Sequence, residues 1–334
     1  MKEAYLYKKA GDKKVKCNLC SHKCLIKNNG KGKCCVRKNI DGHLYSLVYR
    51  KLIAENSDPI EKKPLFHFLP GSYSMSIATV GCNFKCFFCQ NFNISQVPCD
   101  LDKIDGRDVS PVEIVSHAMG NGDKSISYTY TEPTIFFEYA FVTSRLASAK
   151  GLKNVFVTNG FMTKECLVMI GPYLDAANVD LKSFSDITYK NKIGGRLKPV
   201  LNNIMFMKEQ RIWVEVTTLI IPGINDSEKE LKQIAEFLAD IDKGIPWHIS
   251  AYYPQYKSDI SPTGIDQIKS AVDIGKSEGL KYVYGGNVPG SDYENTYCPN
   301  CGDMLIKRSG FSVSINKIKK GSCSNCGQKI DGIF

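Results

Sequence analysis

Between residues 72 and 286, short runs rich in β-branched and aromatic residues alternate with longer stretches whose apolar positions recur every three or four residues. The strand-like runs are SYSMSIATV (72–80), KSISYTY (124–130), NVFVTN (154–159), AANVD (176–180), RIWVEVTTLI (211–220) and WHISAYY (247–253), with a weaker seventh, KYVYGG. The stretches of helical period between them include PVEIVSHAM, PTIFFEYAFVTSRLASA, KECLVMIG, VLNNIMFMKE and SEKELKQIAEFLAD, and IDQIKSAVDIGKS precedes the seventh run. Repeated strand–helix units predict an α/β fold. Its parallel sheet is covered by helices and is either doubly wound or curled into a barrel. In both cases ligands bind at the carboxyl ends of the strands.

Those ends carry chemistry. The first run leads into Gly81 and three cysteines, the second into Thr131-Glu132-Pro133, and the third into Thr158-Asn159-Gly160. Asp180-Leu181-Lys182 closes the fourth, Thr217-Thr218 lies near the end of the fifth, and the sixth carries His248 and Tyr252. One polar residue at a strand end is a cap or turn former. Six in succession predict a shared site.

The chain outside this array differs in character. Residues 1–70 form a cysteine- and lysine-rich module with turn signals such as NNGKGK and DPIEKKP. Residues 71–290 hold the array, and residues 291–334 form a tail with two Cys-x2-Cys pairs. Residues 1–63 carry 16 Lys and Arg against 6 Asp and Glu, whereas residues 64–297 carry 22 against 26. The net charge of +10 therefore belongs to the two ends. It fits either an anionic partner or lysines solvated on small modules. No apolar run approaches the ~18 residues of a membrane span, and no apolar stretch follows the basic start as in a secretory signal. A cytoplasmic location is expected. Clustered cysteines among the fourteen are then expected to be metal or redox ligands rather than disulfides. Cys99 and Cys166 stand alone and are expected to be small buried hydrophobes.

The motif GCNFKCFFCQN, residues 81–91, places Cys82, Cys86 and Cys89 within eight residues after a strand. Three thiolates on a [4Fe–4S] cube leave one iron unsaturated, free to take the amino and carboxylate groups of a small molecule. The bland alternative is zinc with a remote fourth ligand, His67 or Cys99. In the tail, Cys298-Pro-Asn-Cys301-Gly and Cys323-Ser-Asn-Cys326-Gly predict a four-thiolate zinc ribbon of structural role. The N-terminal set Cys17-x2-Cys20-x3-Cys24 with Cys34-Cys35 supplies four ligands, Cys17, Cys20, Cys24 and Cys34, and one spare, with His22 nearby. Zn2+, implying a docking module, and a second Fe–S cluster, implying electron relay or substrate anchoring, both fit.

Cys-x3-Cys-x2-Cys after the first strand of a strand–helix array resembles the signature of the radical S-adenosylmethionine (SAM) enzymes. DPIEKKPLFHFLPGS, CQNFNISQ, YTYTEPT and the CPNCG…CSNCG tail resemble the radical SAM component of the AmmeMemoRadiSam group, related to the pyruvate formate-lyase activating enzymes. The resemblance implies a partial (β/α)6 barrel between a cysteine-rich N-terminal module and a C-terminal zinc ribbon. It also implies a [4Fe–4S] cluster on Cys82, Cys86 and Cys89, with S-adenosyl-L-methionine as cofactor. By the same likeness Phe88 lies beside the adenine, and Glu132 near the methionine amino group. Asn159 contacts the cofactor, Asp180 and Lys182 match a DxK motif that positions the carboxylate, and His248 meets the ribose. The activity implied is reductive cleavage of SAM to a 5′-deoxyadenosyl radical that abstracts hydrogen from a large substrate, a protein or peptide. The partners implied are an external electron donor such as ferredoxin or flavodoxin, and Memo-like and AMMECR1-like proteins. Two other readings are radical modification of a nucleic acid or lipid, and a non-enzymatic zinc-only nucleic-acid-binding scaffold.

Overall fold

Strand order decides between the two architectures that the alternation allows. The computed structural model describes residues 1–288 and 292–334. Its main sheet has eight strands: β1 (Ala54–Pro59), β2 (Tyr73–Ala78), β3 (Ser125–Tyr128), β4 (Lys153–Thr158), β5 (Ala176–Asp180), β6 (Trp213–Ile220), β7 (Trp247–Ala251) and β8 (Val283–Gly286). They are hydrogen-bonded in strict chain order, and β2 to β8 are parallel. A doubly wound sheet reverses direction once to cover both faces. Here winding never reverses, so right-handed crossovers leave every helix on one side and the sheet curls around the other. The result is a partial barrel of seven parallel strands, one more than the six-strand count, because KYVYGG does form β8.

Six helices cover the outside: α1 (Pro111–Asn121), α2 (Phe137–Ala149), α3 (Lys164–Ile170), α4 (Leu197–Glu209), α5 (Glu228–Ile241) and α6 (Ile265–Ser277). Their starts are written locally. Ser110 Oγ accepts from Glu113 N while the Glu113 carboxylate accepts from Ser110 N, and Thr163 and Ser227 cap α3 and α5 through their hydroxyls. Between strands and helices lies one continuous apolar core.

The N-terminal residues add short antiparallel sheets, among them Tyr7–Lys9, Val15–Cys17 and Leu25–Ile26. β1 falls within the 1–70 segment, yet it pairs antiparallel with β2 as the edge of the main sheet. The module is pinned to the barrel by a buried ion pair. Arg37 Nη2 donates to both carboxylate oxygens of Glu138 on α2, at 2.6 and 2.5 Å. Cys35 and Cys99 differ from expectation: they form a disulfide, with Cα atoms 5.3 Å apart. Cys99 is thus neither a lone buried hydrophobe nor a metal ligand. The 64-residue separation hides this pairing from the sequence, because only the packing of the module on the barrel brings the two segments together. Cys166 is fully buried and unpaired, as a small hydrophobe would be.

The tail, with a hairpin of Met304–Ser309 and Ser312–Asn316, packs Cys298, Leu305, Ile306, Cys323 and Ile330 against Phe66, Tyr282 and Tyr284. The boundary expected at 290/291 lies outside the described residues. Arg308 carries charge into this contact: its guanidinium lies 4.1 Å from the Phe66 ring centroid, and its Nη2 donates to Phe66 O. His67, the remote zinc ligand considered above, is committed elsewhere, with Nδ1 2.6 Å from Asp331 O and Nε2 2.6 Å from Tyr284 Oη. No helix is long and apolar enough to cross a membrane among the described residues.

Two outcomes follow from these buried groups. Glu138→Leu strands the Arg37 charge and should cost about 3–5 kcal/mol, seen as a lower thermal unfolding midpoint, while Arg37→Met on top of it recovers part of the loss. Burial pushes His67 down to about 4 from its ordinary 6.5, so it is neutral when folded. The unfolded chain gains a proton first, so stability is lost as pH falls from about 6.5 to about 4, by at most about 3 kcal/mol. His67→Gln should flatten the midpoint-versus-pH curve in that window.

Candidate active site

After β2 the chain turns at Gly81, whose φ of +109° and close packing both require glycine: a Cβ there would stand 2.7 Å from Val36 of the N-terminal module. The loop that follows carries Cys82, Cys86 and Cys89 into a cavity of about 400 Å³ at the carboxyl ends of the strands. Phe88, Glu132, Asn159, Asp180 and Lys182 line the same cavity. Eight residues drawn from four separate strand ends thus meet in one space, as the one-way winding requires. His248 does not line it.

Cys86 is buried, Cys82 and Cys89 are half-buried, and the sulfurs are partly hydrogen-bonded. Phe84 N lies 3.4 Å and Asn159 Nδ2 3.8 Å from Cys82 Sγ, and the Ser95 hydroxyl lies 3.1 Å from Cys89 Sγ. Burial pushes the Cys86 thiol up to about 12 and Cys82 well above the usual thiol range. As thiols these groups stay protonated near neutrality, and only a bound cation would ionise them. Glu132 accepts from Thr158 Oγ1 (2.7 Å), Asn159 N (2.8 Å), Thr134 N (3.0 Å) and Thr134 Oγ1 (2.5 Å). Three of these donors fall on Oε1 and one on Oε2, so the carboxylate ties the ends of β3 and β4 together. Burial pushes this carboxyl above its ordinary value, even against those donors. Asn159 Nδ2 donates to Asn83 Oδ1 at 2.7 Å, which fixes the cluster-bearing loop to the end of β4.

Opposite these lies the charged pair: Lys182 Nζ is 2.9 Å from Asp180 Oδ2. Burial works against the Lys182 charge, yet Asp180 and the Cys86 sulfur hold it above its ordinary value. Register places Asp180 beside Thr217, and Thr217 beside His248. Thr217 Oγ1 is buried, faces the cavity and has no hydrogen-bond partner. An orphaned hydroxyl among thiols fits a polar ligand of nucleoside size, and the chemistry of the donor set fits a metal cluster.

His248 sits near the start of β7 rather than at its end. Its Nε2 lies 2.6 Å from Glu215 Oε2, and Glu215 also accepts from the backbone N–H groups of Phe66 and His67. The imidazole faces an adjoining cavity of about 480 Å³, which shares Lys62, Thr217 and Ser250 with the first. Thr217, expected at the rim, does line the cavity, whereas Lys62, Lys63 and Ser250 escaped the sequence-based reading. Lys63 is buried beside Asp58 (2.7 Å) and over the Tyr130 ring, and burial brings it down to about 8. Its signal was the charged run in DPIEKKP, an unusual sequence to precede a core strand.

Two further cysteine groups lie apart. In the tail, Cys298, Cys301, Cys323 and Cys326 bring their sulfurs within 4.8 Å of one another, in the arrangement of a single four-thiolate metal site. Gly302 and Gly327, at φ of +73° and +76°, turn the two knuckles. Cys17, Cys20, Cys24 and Cys34 line a small separate cavity with Arg37.

Comparison with known proteins agrees with this geometry. Residues 76–238 match the Radical SAM superfamily model. An uncharacterised protein of Methanocaldococcus jannaschii is 45% identical over 99% of both chains. A second protein of that archaeon, provisionally named a glycyl-radical enzyme activating enzyme, is 27% identical over 64% of this chain and 79% of its own length. The fold overlays that of Streptococcus suis SuiB bound to S-adenosylmethionine with a TM-score of 0.51 at 14% identity, over 68% of this chain and 53% of SuiB. A one-way partial barrel, a three-cysteine loop after its first parallel strand and a family match across both make this chain an enzyme of the radical SAM superfamily, with relatives of the activating-enzyme type.

Proposed function

We propose that this enzyme reductively cleaves S-adenosyl-L-methionine at a [4Fe–4S] cluster and uses the product to take a hydrogen atom from a protein or peptide. Cys82, Cys86 and Cys89 would hold the cluster. When bound and reduced by one electron from a ferredoxin- or flavodoxin-like donor, cluster and SAM supply methionine and a 5′-deoxyadenosyl radical, which abstracts hydrogen from substrate. The observation that carries this reading is the convergence of three thiols and the Asp180–Lys182 pair on one cavity.

The protein's own work is holding, orienting and drying. Lys182 presents a cation to a carboxylate, with Asp180 fixing its direction. Phe88, buried on the cavity wall between two ligands, offers a face for an adenine ring. Asn159 and the orphaned Thr217 hydroxyl offer polar contacts. Glu132 acts through its neighbours, keeping Asn159 and the β3–β4 ends in register. The amide of Phe84 and the hydroxyl of Ser95 would donate to cluster sulfurs, which raises a cluster's potential. The cavity beside His248 adjoins the cofactor space, so it would receive the reacting part of the substrate, with His248 held by Glu215 at its wall. Two adjoining cavities leave room beside the cofactor for part of a larger substrate. Memo-like and AMMECR1-like proteins are the partners to try first, on the resemblance of the flanking motifs.

In the tail the close sulfur pairs, Cys298–Cys326 at 3.6 Å and Cys301–Cys323 at 3.8 Å, support Zn2+, since four Zn–S bonds of ~2.3 Å in a tetrahedron hold sulfurs about 3.8 Å apart. No position is open there, so its role is structural.

The function is tested by anaerobic reconstitution with iron and sulfide, reduction in the presence of SAM, and assay of 5′-deoxyadenosine. Wild type should release it and Cys82→Ala should fall to background, while an active Cys82→Ala would sink the proposal. Cys301→Ser/Cys326→Ser should lose about one zinc per chain and expose the tail to protease, with retained zinc counting against the ribbon.

A further inference from the structure

Nothing in the chemistry above uses the four N-terminal cysteines or explains the residue between them and the barrel. Arg37 is 1% exposed and lines the cavity formed by Cys17, Cys20, Cys24 and Cys34. Its Nη2 is spent on Glu138, but Nε and Nη1 are buried with no hydrogen-bond partner. Leaving charged donors unpaired inside a protein costs more than one ordinary hydrogen bond returns. Four neutral thiols are weak acceptors, whereas four thiolates on a metal centre carry negative charge toward those N–H groups. Gly32 lies against this cavity between two of the ligands: the position of a Cβ there is 3.9 Å from the sulfurs of both Cys24 and Cys34.

Sulfur spacing separates two kinds of centre. A single tetrahedral ion draws its thiolates together, as in the tail. Among the described residues the tail tetrad is the cysteine group that gathers within 4.8 Å. Neither the N-terminal tetrad nor Cys82, Cys86 and Cys89 gathers so tightly among the described residues, which suits centres where each thiolate serves a different iron.

The cavity also touches the catalytic loop from two sides. His22, between Cys20 and Cys24, has Nε2 2.8 Å from Asn83 O, next in sequence to Cys82. Cys34 O lies 3.5 Å from the Cβ position of Gly81, on the other side of Cys82. Cys20 itself bridges to Met162, close behind Asn159. On the outer side Lys23, Lys27 and Lys33 are exposed around the ligands.

We propose that Cys17, Cys20, Cys24 and Cys34 hold a second, fully cysteine-ligated iron–sulfur cluster, which relays single electrons from an acidic low-potential carrier protein to the cluster at Cys82, Cys86 and Cys89. The cluster stands on the observations just given, and its acceptor rests on the function proposed above. Four thiolates leave no iron open, so the centre transfers electrons and does not anchor substrate. The carrier loses one electron, the N-terminal cluster gains it and passes it on, and no bond or proton moves. The basic rim matches an acidic carrier.

The test uses full-length protein, reconstituted anaerobically, as wild type, Cys82→Ala/Cys86→Ala/Cys89→Ala and Cys20→Ser/Cys24→Ser. Iron per chain should be about eight in wild type and about four in each variant, taking four irons per cluster. The reduced electron paramagnetic resonance (EPR) signal of the triple variant should ignore added SAM, and that of the double variant should shift with it. Reduction of the remaining cluster by ferredoxin should slow at least tenfold in the double variant relative to reduction by dithionite. A triple variant without iron and with two zincs per chain overturns the cluster. An unchanged ferredoxin-to-dithionite ratio overturns the relay. A double variant blind to SAM beside an iron-loaded triple variant overturns the function proposed above and leaves the N-terminal cluster supported.

Discussion

A parallel strand can reach its neighbour only by crossing over, and seven strands wound one way with right-handed crossovers leave every strand-to-helix loop on the same rim. The molecule depends on this constraint. It brings the loop after β2, the Glu132 turn after β3, Asn159 after β4 and Lys182 after β5 to one cavity, though up to a hundred residues separate them in the chain. It also leaves the barrel open along one edge, where β1 and β8 each have a single strand neighbour. The two cysteine-rich ends attach around this scaffold. The N-terminal module meets the rim through Asn83, Phe161 and Met162, and the tail meets β8 through Tyr282 and Tyr284.

Charge buried at these joints does more than hold them. Arg37–Glu138 and Arg308 with Glu61 each place an arginine of a small module in the barrel wall. Such pairs add little net stability compared with apolar packing, but a mispacked module strands a charge. They therefore select one docking geometry. Lys63–Asp58 follows the same logic, with Asp58 near the end of β1 opposite the start of β2 and Lys63 on the cavity wall.

Much of the fold could be read from period alone. All six helical stretches and all seven strand-like runs exist, because their apolar spacing is what the core requires. Residues adjacent to strand ends were legible for the same reason: once a run is a parallel strand, its carboxyl end is a ligand position. His248 shows where this fails. Its neighbourhood looked like a strand end, but β7 begins at Trp247, which puts the imidazole low on the wall and against Glu215. Glu132 reaches the expected cavity, but its hydrogen bonds to Thr158 and Asn159 depend on strands that meet only in space. Ser250 escaped because a hydroxyl inside a strand-like run has no spacing to give it away, and Lys63 because a charged turn reads as solvated until Asp58 and Tyr130 close over it.

The cysteines divide along the same line. The spacings Cys-x3-Cys-x2-Cys and CxxCG determine by themselves which thiols can share a centre, because a short loop cannot hold such ligands apart. They do not determine how wide that centre is, nor which distant thiol pairs with which. The Cys35–Cys99 link, the tight tail tetrad, the wider N-terminal tetrad and the unpaired nitrogens of Arg37 come from the packing of separate segments. Local sequence encodes which nearby side chains can meet. Distances across the molecule are set only when the module, barrel and tail bury their common surfaces.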